Sequence, residues 1–404
     1  MSRIDRRRFL RRARNTAGGV VAGLLAGSGR PVHATDTTRM QGGPARPYGE
    51  RSRFEKLVRW ITPARYPTST ASWTPLAGLD GVVTPSALHY ERHHGGVPDI
   101  DPHAHRLLVH GLVTRPLEFT LEALRRFPQV VRLCFLECSG NGYREWTGPG
   151  GADVQQTHGL TSCSEWTGVR LADVLAECGV GPAARWVLAE GADGAAMTRS
   201  IPLAKCLDDV ILAYAQNGEA LRPEQGYPLR LLVPGYEGSI SVKWLRRLKL
   251  GEQPWYTREE TAKYTDLMPD GSAREFSFVM EAKSVITQPS PGGEPLAAGF
   301  HEIRGLAWSG RGRVTRVEVS CDDGATWQDA TLHGPVLPVC HTRFTLPWRW
   351  DGAATVLASR CHDETGYVQP TREALRAVRG DHSFYHYNGI QRWRVDAAGR
   401  LFNV

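Results

Sequence analysis

Cys138 closes the apolar run "VRLCFLEC" (residues 131–138), just before "SGNG" breaks it. A run of this kind reads as a buried strand and the break as a turn. The thiol therefore sits at the mouth of a sheet. It has two readings there. Most free cysteines are small buried apolar residues. The other reading is a soft thiolate offered to an electron-rich redox metal. Two cations raise a related question. Arg230 in "YPLRLLVPG" and Lys243 in "SISVKWL" stand inside otherwise apolar stretches. A buried cation is costly without a partner, so an anion is expected to meet them.

The elements around these residues follow from periodicity. "HRLLVHGLV" (105–113), "RWVLAEG" and "VILAYAQNG" read as strands closed by glycine turns. "TLEALRRF" reads as a short helix capped by Thr120 and ended by Pro128. "RLADVLAECG" places Leu171, Val174, Leu175 and Cys178 on one helical face, with Gly179 as the stop. "ERSRFEKLVRWI" puts Phe54, Leu57, Val58 and Ile61 at helical spacing and predicts another short helix. Beyond about 275 helices nearly vanish. "RVTRVEVSCDDGATWQDATL" alternates, turns at Asp323-Gly324 and returns, a hairpin pattern. The whole reads as an α+β domain followed by an all-β sandwich of immunoglobulin type.

The 404 residues suffice for two domains with substantial cores. The net charge of +7 suggests nucleic acid until its location is noted. Residues 1–34 hold eight arginines against Asp5, which accounts for all of it. The other 370 residues are neutral overall, which argues against an electrostatic nucleic-acid footprint. The arginines belong to a leader: Arg6-Arg7 with Phe9-Leu10, a weakly apolar run, then "VHA" at 32–34, in the order of a twin-arginine export signal. Folded export through a reducing compartment leaves the eight cysteines no need to pair. Cys134 and Cys138, four apart, are too poor a pattern for zinc. No "CxxCH" occurs, so no c-type haem is expected in this chain; "HHGG" at 93–96 has no haem domain around it.

"LECSGNG" around Cys138, "YPLRLLVPGYEGSISVKWLRRL" (227–248), "EETAKYTDL" and "GLAWSGRGRVTRVEVSCDDGATWQ" (305–328) occur in the order of one family. Together they resemble the sulfite oxidase family of molybdenum enzymes. The likeness covers the chain after residue 75. "CHDETGYVQPTREALRAVRG" and the leader resemble its sulfane (sulfite) dehydrogenase branch. The resemblance implies a leader at 1–34, a linker and wrap at 35–75, a molybdopterin-binding domain at 76–265 and an immunoglobulin-like dimerisation domain at 275–404.

It also implies residue roles. Cys138 would be the thiolate on molybdenum, with Cys163 the second choice and Cys134 a core residue. Tyr90, Arg92, His93 and His94, in "YERHH", would reach the metal centre and the pterin. Asp193 would accept hydrogen bonds from the cofactor. Arg230 and the run Ser241, Val242 and Lys243 would hold the pterin tail, and Gln225 replaces a family histidine. Tyr264 would stand near the metal's oxo group, and Arg379 would enter the anion pocket from the second domain. The implied reaction is a two-electron oxidation of sulfur. The implied partners are a c-type cytochrome subunit as electron acceptor, a sulfur-carrier protein as substrate and a second copy of the chain, giving α2β2. One departure bears on substrate. The family pattern after the cysteine is Gly-Asn-Arg-Arg, whereas here Gly140-Asn141 are followed by Gly142-Tyr143, with arginine only at Arg144. A less cationic, more open pocket suits sulfur presented on a carrier better than a free sulfite dianion.

Three other readings carry their own discriminators. A methionine-sulfoxide reductase of the same superfamily would lack the long C-terminal β domain. A catalytically dead assembly subunit would have lost Cys138, Arg92 or Tyr264. A metal-free exported protein stabilised by disulfides would show few free thiols.

Overall fold

The computed structural model of the chain describes residues 42–62 and 69–404. The leader at 1–34 lies outside the described residues, as do 63–68 of the wrap. The chain separates into Met1–Glu55 and a compact unit, Lys56–Val404. In the first, the described residues 42–55 carry only a turn near Arg53, whose guanidinium covers the Phe54 ring at 4.7 Å.

The predicted helix over 50–61 is absent. Trp60–Ile61 is instead extended and pairs with Ala71–Trp73, and Trp60 packs on Trp73 at 4.6 Å. Two tryptophans in contact and an oncoming Pro63, which disfavours helix in the residue before it, outweigh the helical spacing. Val58 and Ile61 remain exposed, so no apolar face is buried there.

The α+β half is built on two sheets. One is mixed, in the order Leu117–Phe119, Leu107–Gly111, Leu245–Gly251, Trp186–Gly191, Thr198–Pro202, with a single parallel pairing between the second and third. The other carries Gln129–Glu137 against Thr161–Arg170 and then Ile211–Gln216, which also pairs with Arg230–Leu232. Leu171–Cys178 and Leu203–Asp208 cover the interior with Leu171, Val174, Leu175, Leu203 and Cys206. The Thr120 hydroxyl accepts the Ala123 N–H at 3.0 Å, and Gly179 takes φ of +71°, as the cap and stop signals predict.

The C-terminal half is a two-sheet sandwich. Lys283–Gln288, Gly299–Trp308, Thr342–Trp350 and Thr331–His333 form one sheet. Gln328–Asp329, Val314–Ser320, Thr355–Asp363, Arg392–Val395 and Leu401–Asn403 form the other. Trp308, Phe344 and Trp393 fill the space between them and are wholly buried. One helix interrupts the β pattern, Arg372–Arg379, capped by Thr371. The two halves share a core, since Leu76, Phe135, Val154 and Cys163 pack into the sandwich's apolar cluster. No described helix is long and apolar enough to cross a membrane.

Candidate cofactor and active site

The strand Gln129–Glu137 runs in register with Thr161–Arg170 as far as Glu137↔Thr161, and there it ends. Cys138 makes one more ladder bond, donating its N–H to Leu160 O at 2.9 Å. Asn141 then staples the turn. Its N–H reaches Cys138 O at 2.8 Å, its Oδ1 accepts Leu160 N–H at 3.1 Å, and its Nδ2 donates to Glu137 Oε1 at 2.8 Å. The turn holds the Cys138 sulfur at a cavity, with the Gly140 N–H and the Arg92 guanidinium favouring its anionic form. Burial wins for the bare thiol and pushes its pKa up.

Gly142 explains the departure from Gly-Asn-Arg-Arg. Its φ is +84°, and a Cβ there would lie 2.8 Å from the Tyr387 ring. An arginine does not fit this backbone. Arg144 points elsewhere, donating Nε to Tyr143 OH at 2.8 Å and lying over Trp60. Gly142→Arg is expected to cost about 1–3 kcal/mol of stability in urea denaturation. An unchanged midpoint would mean that the turn relaxes to admit the side chain.

The segment 90–94 hangs on a sheet edge. Glu91–Arg92 pairs with Ala71–Trp73, and the Tyr90 N–H donates to Ser162 Oγ at 3.0 Å. Across from it, Gly238 N–H donates to Glu137 O at 2.6 Å, drawing the 238–244 loop against the strand that carries Cys138. Only a glycine allows this approach: a Cβ at 238 would meet Tyr90 OH at 2.5 Å. The cavity, counted with the solvent at its mouth, is about 660 Å³. Tyr90, Arg92, His93, His94, Cys138, Asp193, Gln225, Arg230, Ser241, Val242, Lys243 and Tyr264 all line it.

Lys243 donates to His93 Nδ1 at 2.8 Å, to Glu224 O at 3.1 Å and to Arg92 O at 3.3 Å. With His93 Nδ1 accepting, the ring proton sits on Nε2 and is donated to Glu91 Oε2 at 2.7 Å. Arg230 donates to the Gln225 carbonyl at 3.0 Å and to Ser241 O at 3.1 Å, with Trp166 beneath it at 5.0 Å. Gln225 is fixed in turn by donating to Tyr90 O at 3.0 Å. Burial, reinforced by Arg230, drives the Lys243 pKa well down. Burial also brings Arg230 to about 10.

Tyr264 sits opposite, at φ of +52°. Its hydroxyl and His94 Nε2 are 2.9 Å apart. Burial, with Arg92 adding to it, takes His94 down to about 3. Burial and the Cys138 thiolate charge push the Tyr264 phenol upward. Both groups are therefore neutral near pH 7 and share one proton.

Several contributors escaped the sequence reading. Arg199, 1 % exposed, lies over the Tyr264 ring at 4.9 Å and pairs with Glu237 at 2.6 Å. Opposing its own burial, Arg199 leads in holding the Glu237 carboxyl down at about 2. His89 lines the cavity with its Nε2 buried and unpartnered. Their signal was faint: a lone arginine in "TRSIP", and a histidine directly before "YERHH". Arg379 stands apart from the other expected site residues. It is not among the cavity-lining residues and lies 3.7 Å from Asp266, whose Oδ1 accepts the N–H groups of Phe384 and Tyr385. Its Nη1 is buried without a hydrogen-bond partner. Cys163 lies in the core against Cys340 and not on the cavity, which leaves Cys138 as the ligand candidate.

The residues present fit a molybdenum pterin with an anionic tail. Arg230 and Lys243 make no ion pair among the described residues, and Arg230 Nε is buried without an acceptor. A phosphate would satisfy both. His89 Nε2 and Ser139 Oγ are further unpartnered polar atoms around the site. Cys138 supplies the one thiol among the described residues that line the cavity, with the Met197 thioether as a weaker soft donor, and coordination would deprotonate the thiol.

The site and fold define a molybdopterin oxidoreductase, and the chain belongs to the sulfite oxidase family of these proteins. Residues 94–258 match the family described as "Oxidoreductase molybdopterin binding domain", and 274–392 match the "Mo-co oxidoreductase dimerisation domain". The crystal structure of the sulfane dehydrogenase SoxCD from Paracoccus pantotrophus is similar at 47% identity and a TM-score of 0.89, covering 94% of this chain and 99% of that one. Mitochondrial sulfite oxidase of Mus musculus is 36% identical over 279 residues, covering 63% of this chain and 50% of its own length. Nitrate reductase [NADH] of Ulva prolifera is 34% identical over 367 residues, 80% of this chain and 42% of its own. The chain thus spans about half the length of the curated relatives it matches.

Proposed function

We propose that the chain is a molybdenum-cofactor oxidoreductase that oxidises sulfur, taken as carrier-bound sulfane sulfur or as sulfite, and passes the electrons to a c-type cytochrome. The site of action is the periplasm, reached by the twin-arginine route. The observation that carries this reading is the single cavity shared by Cys138, Arg92 and the Tyr264–His94 pair, with Arg230 and Lys243 in the same wall. The bound cofactor supplies two-electron redox chemistry and the oxygen to be transferred. Lys243, Arg230, Gln225 and Ser241 hold and orient the cofactor. Arg92 attracts the anionic end of a sulfur substrate, and Tyr264 with His94 holds a proton at the substrate side.

The partner assignment rests on the relative named SoxCD. A SoxD-like c-type cytochrome subunit receives the electrons, and the sandwich pairs two chains, giving α2β2. The preference for carrier-bound sulfur rests on Gly142 and Tyr143, which leave the cysteine turn without arginines facing the cavity. A sulfite dehydrogenase acting on the free dianion is the second reading.

Metal analysis of the matured protein should find about one molybdenum per chain. Cytochrome c reduction should proceed with a persulfide- or thiosulfonate-loaded carrier and be poor with free sulfite. Efficient turnover of free sulfite with no response to the loaded carrier would reverse the assignment. Tyr264→Phe should keep its molybdenum and lose about 100-fold in kcat. A variant with unaltered kcat would remove Tyr264 from the proton-handling role.

A further inference from the structure

The eight cysteines are free, and seven of them have no place on the cavity. Cys178, Cys206, Cys321 and Cys361 sit singly as packing residues, and Cys134 is buried near the remaining two in an adjoining apolar cluster. Those two lie together. Cys163 Sγ and Cys340 Sγ are 3.4 Å apart, although 177 residues separate them, and both are buried. Cys163 lies on Thr161–Arg170 of the α+β half. Cys340 lies in the loop just before Thr342–Trp350 of the sandwich. We infer that this pair is a redox site: on oxidation it forms a disulfide that fastens the sandwich to the sheet carrying Cys138.

The surroundings hold the two sulfurs in place. Val339 O accepts the Phe135 N–H at 3.0 Å, and Val339 N–H donates to Gly312 O at 3.0 Å. On the other side of Cys340, His341 Nε2 and Thr161 Oγ1 are 2.9 Å apart. The loop is thus pinned to both strands, Gln129–Glu137 and Thr161–Arg170, on either side of the thiol. Cys163 is fixed by its own exchange with Thr84, accepting from its N–H at 2.7 Å and donating to its hydroxyl at 3.2 Å. Val339 has φ of +55°, a left-handed conformation that a β-branched residue rarely adopts. Strain of this kind persists only where the surroundings over-determine it, and here it falls directly before Cys340.

Bond formation needs the sulfurs to approach by about 1.4 Å. The chemistry balances with a low-molecular-weight disulfide as oxidant. One protein thiolate attacks it, forming a mixed disulfide and releasing one small thiol. The second protein thiolate then displaces the other small thiol. The protein pair loses two protons and two electrons, and the small disulfide gains them as two thiols. Burial makes the exchange slow, because the attacking sulfur must first be exposed by local opening. Once formed, the bond would resist small reductants for the same reason. The site is structurally close to the metal ligand: Cys163 faces Phe135, and the same strand pair ends two residues further on, at Glu137↔Thr161 beside Cys138. Neither sulfur of the pair lines the cavity.

The test uses the full-length holoprotein, incubated for hours with oxidised glutathione or with dithiothreitol. Thiols are then counted in denaturant, and peptides are mapped without reduction. The reduced sample should show all eight thiols and the oxidised sample six, with a peptide linking Cys163 to Cys340. The oxidised form should melt about 5 °C higher. Cys340→Ser and Cys340→Ala should keep seven thiols under both conditions and show no oxidant-dependent change in melting. Eight thiols surviving the oxidant in the parent protein, or a link between other cysteines, would overturn the inference.

Discussion

Replacing Lys283 with methionine is expected to lower the stability of the folded chain by about 3–5 kcal/mol. Lys283 and Glu137 form an ion pair at 2.5 Å, with both side chains wholly excluded from solvent. Glu137 also accepts Trp308 Nε1–H at 2.7 Å and Asn141 Nδ2–H at 2.8 Å. Every bond of this carboxylate therefore ties a different segment to the residue just before Cys138. Removing the ammonium leaves a buried carboxylate with neutral donors only, and the desolvation penalty is no longer opposed. The double variant Glu137→Gln, Lys283→Met removes both charges and should recover part of the loss, since the single glutamine oxygen can accept from Trp308 or from Asn141 but cannot replace both carboxylate oxygens. Urea denaturation of parent, single and double variants gives the coupling directly. Molybdenum content should follow the same order, because the Asn141 staple of the cysteine turn hangs on the same carboxylate. A single variant within about 1 kcal/mol of the parent would show that the pair is not required to hold the turn.

That network marks the limit of what could be read from the chain alone. The strand ending at Cys138, the Leu171–Cys178 helix and the hairpin at Asp323-Gly324 were legible because each is written in local periodicity and turn chemistry. Arg230 and Lys243 stood out because cations in apolar runs contradict their surroundings, and the structure places both on one cavity. Glu137 gave no such signal. It is one acid at the end of a strand, and its partner is 146 positions away. Tyr264 and His94 were named from the family likeness, but their contact across 170 positions gave no signal, and neither did Arg199, whose role depends on the Glu237 loop. The helix expected over 50–61 failed for the opposite reason. Its spacing was right, but Trp60 found a better partner in Trp73. Arg379 was expected from the family pattern, and the structure sets it 3.7 Å from Asp266, whose carboxylate accepts the Phe384 N–H.

Cys138→Ser is expected to separate the fold from the chemistry. The thiol lies at the end of a strand whose ladder bonds are all made by backbone, and serine can adopt the same turn with Leu160 and Asn141 still in place. Thermal and urea midpoints should therefore move little, by less than about 1 kcal/mol in stability. The cofactor would lose its soft anchor. A serine hydroxyl is a harder donor with a far higher pKa than a thiol, so it is a poorer match for the place a thiolate would hold on molybdenum. Changes around a metal's ligands commonly cost 10–100-fold, and loss of the ligand itself should cost at least about 100-fold in turnover. The pterin should still be retained in part, because Arg230, Lys243 and Gln225 grip it independently of the sulfur. X-ray absorption of the purified variant should then show one sulfur fewer around molybdenum than the parent. Parent-like turnover with an unchanged sulfur count would remove Cys138 from the metal, and with it the reading of the cavity as a molybdenum site.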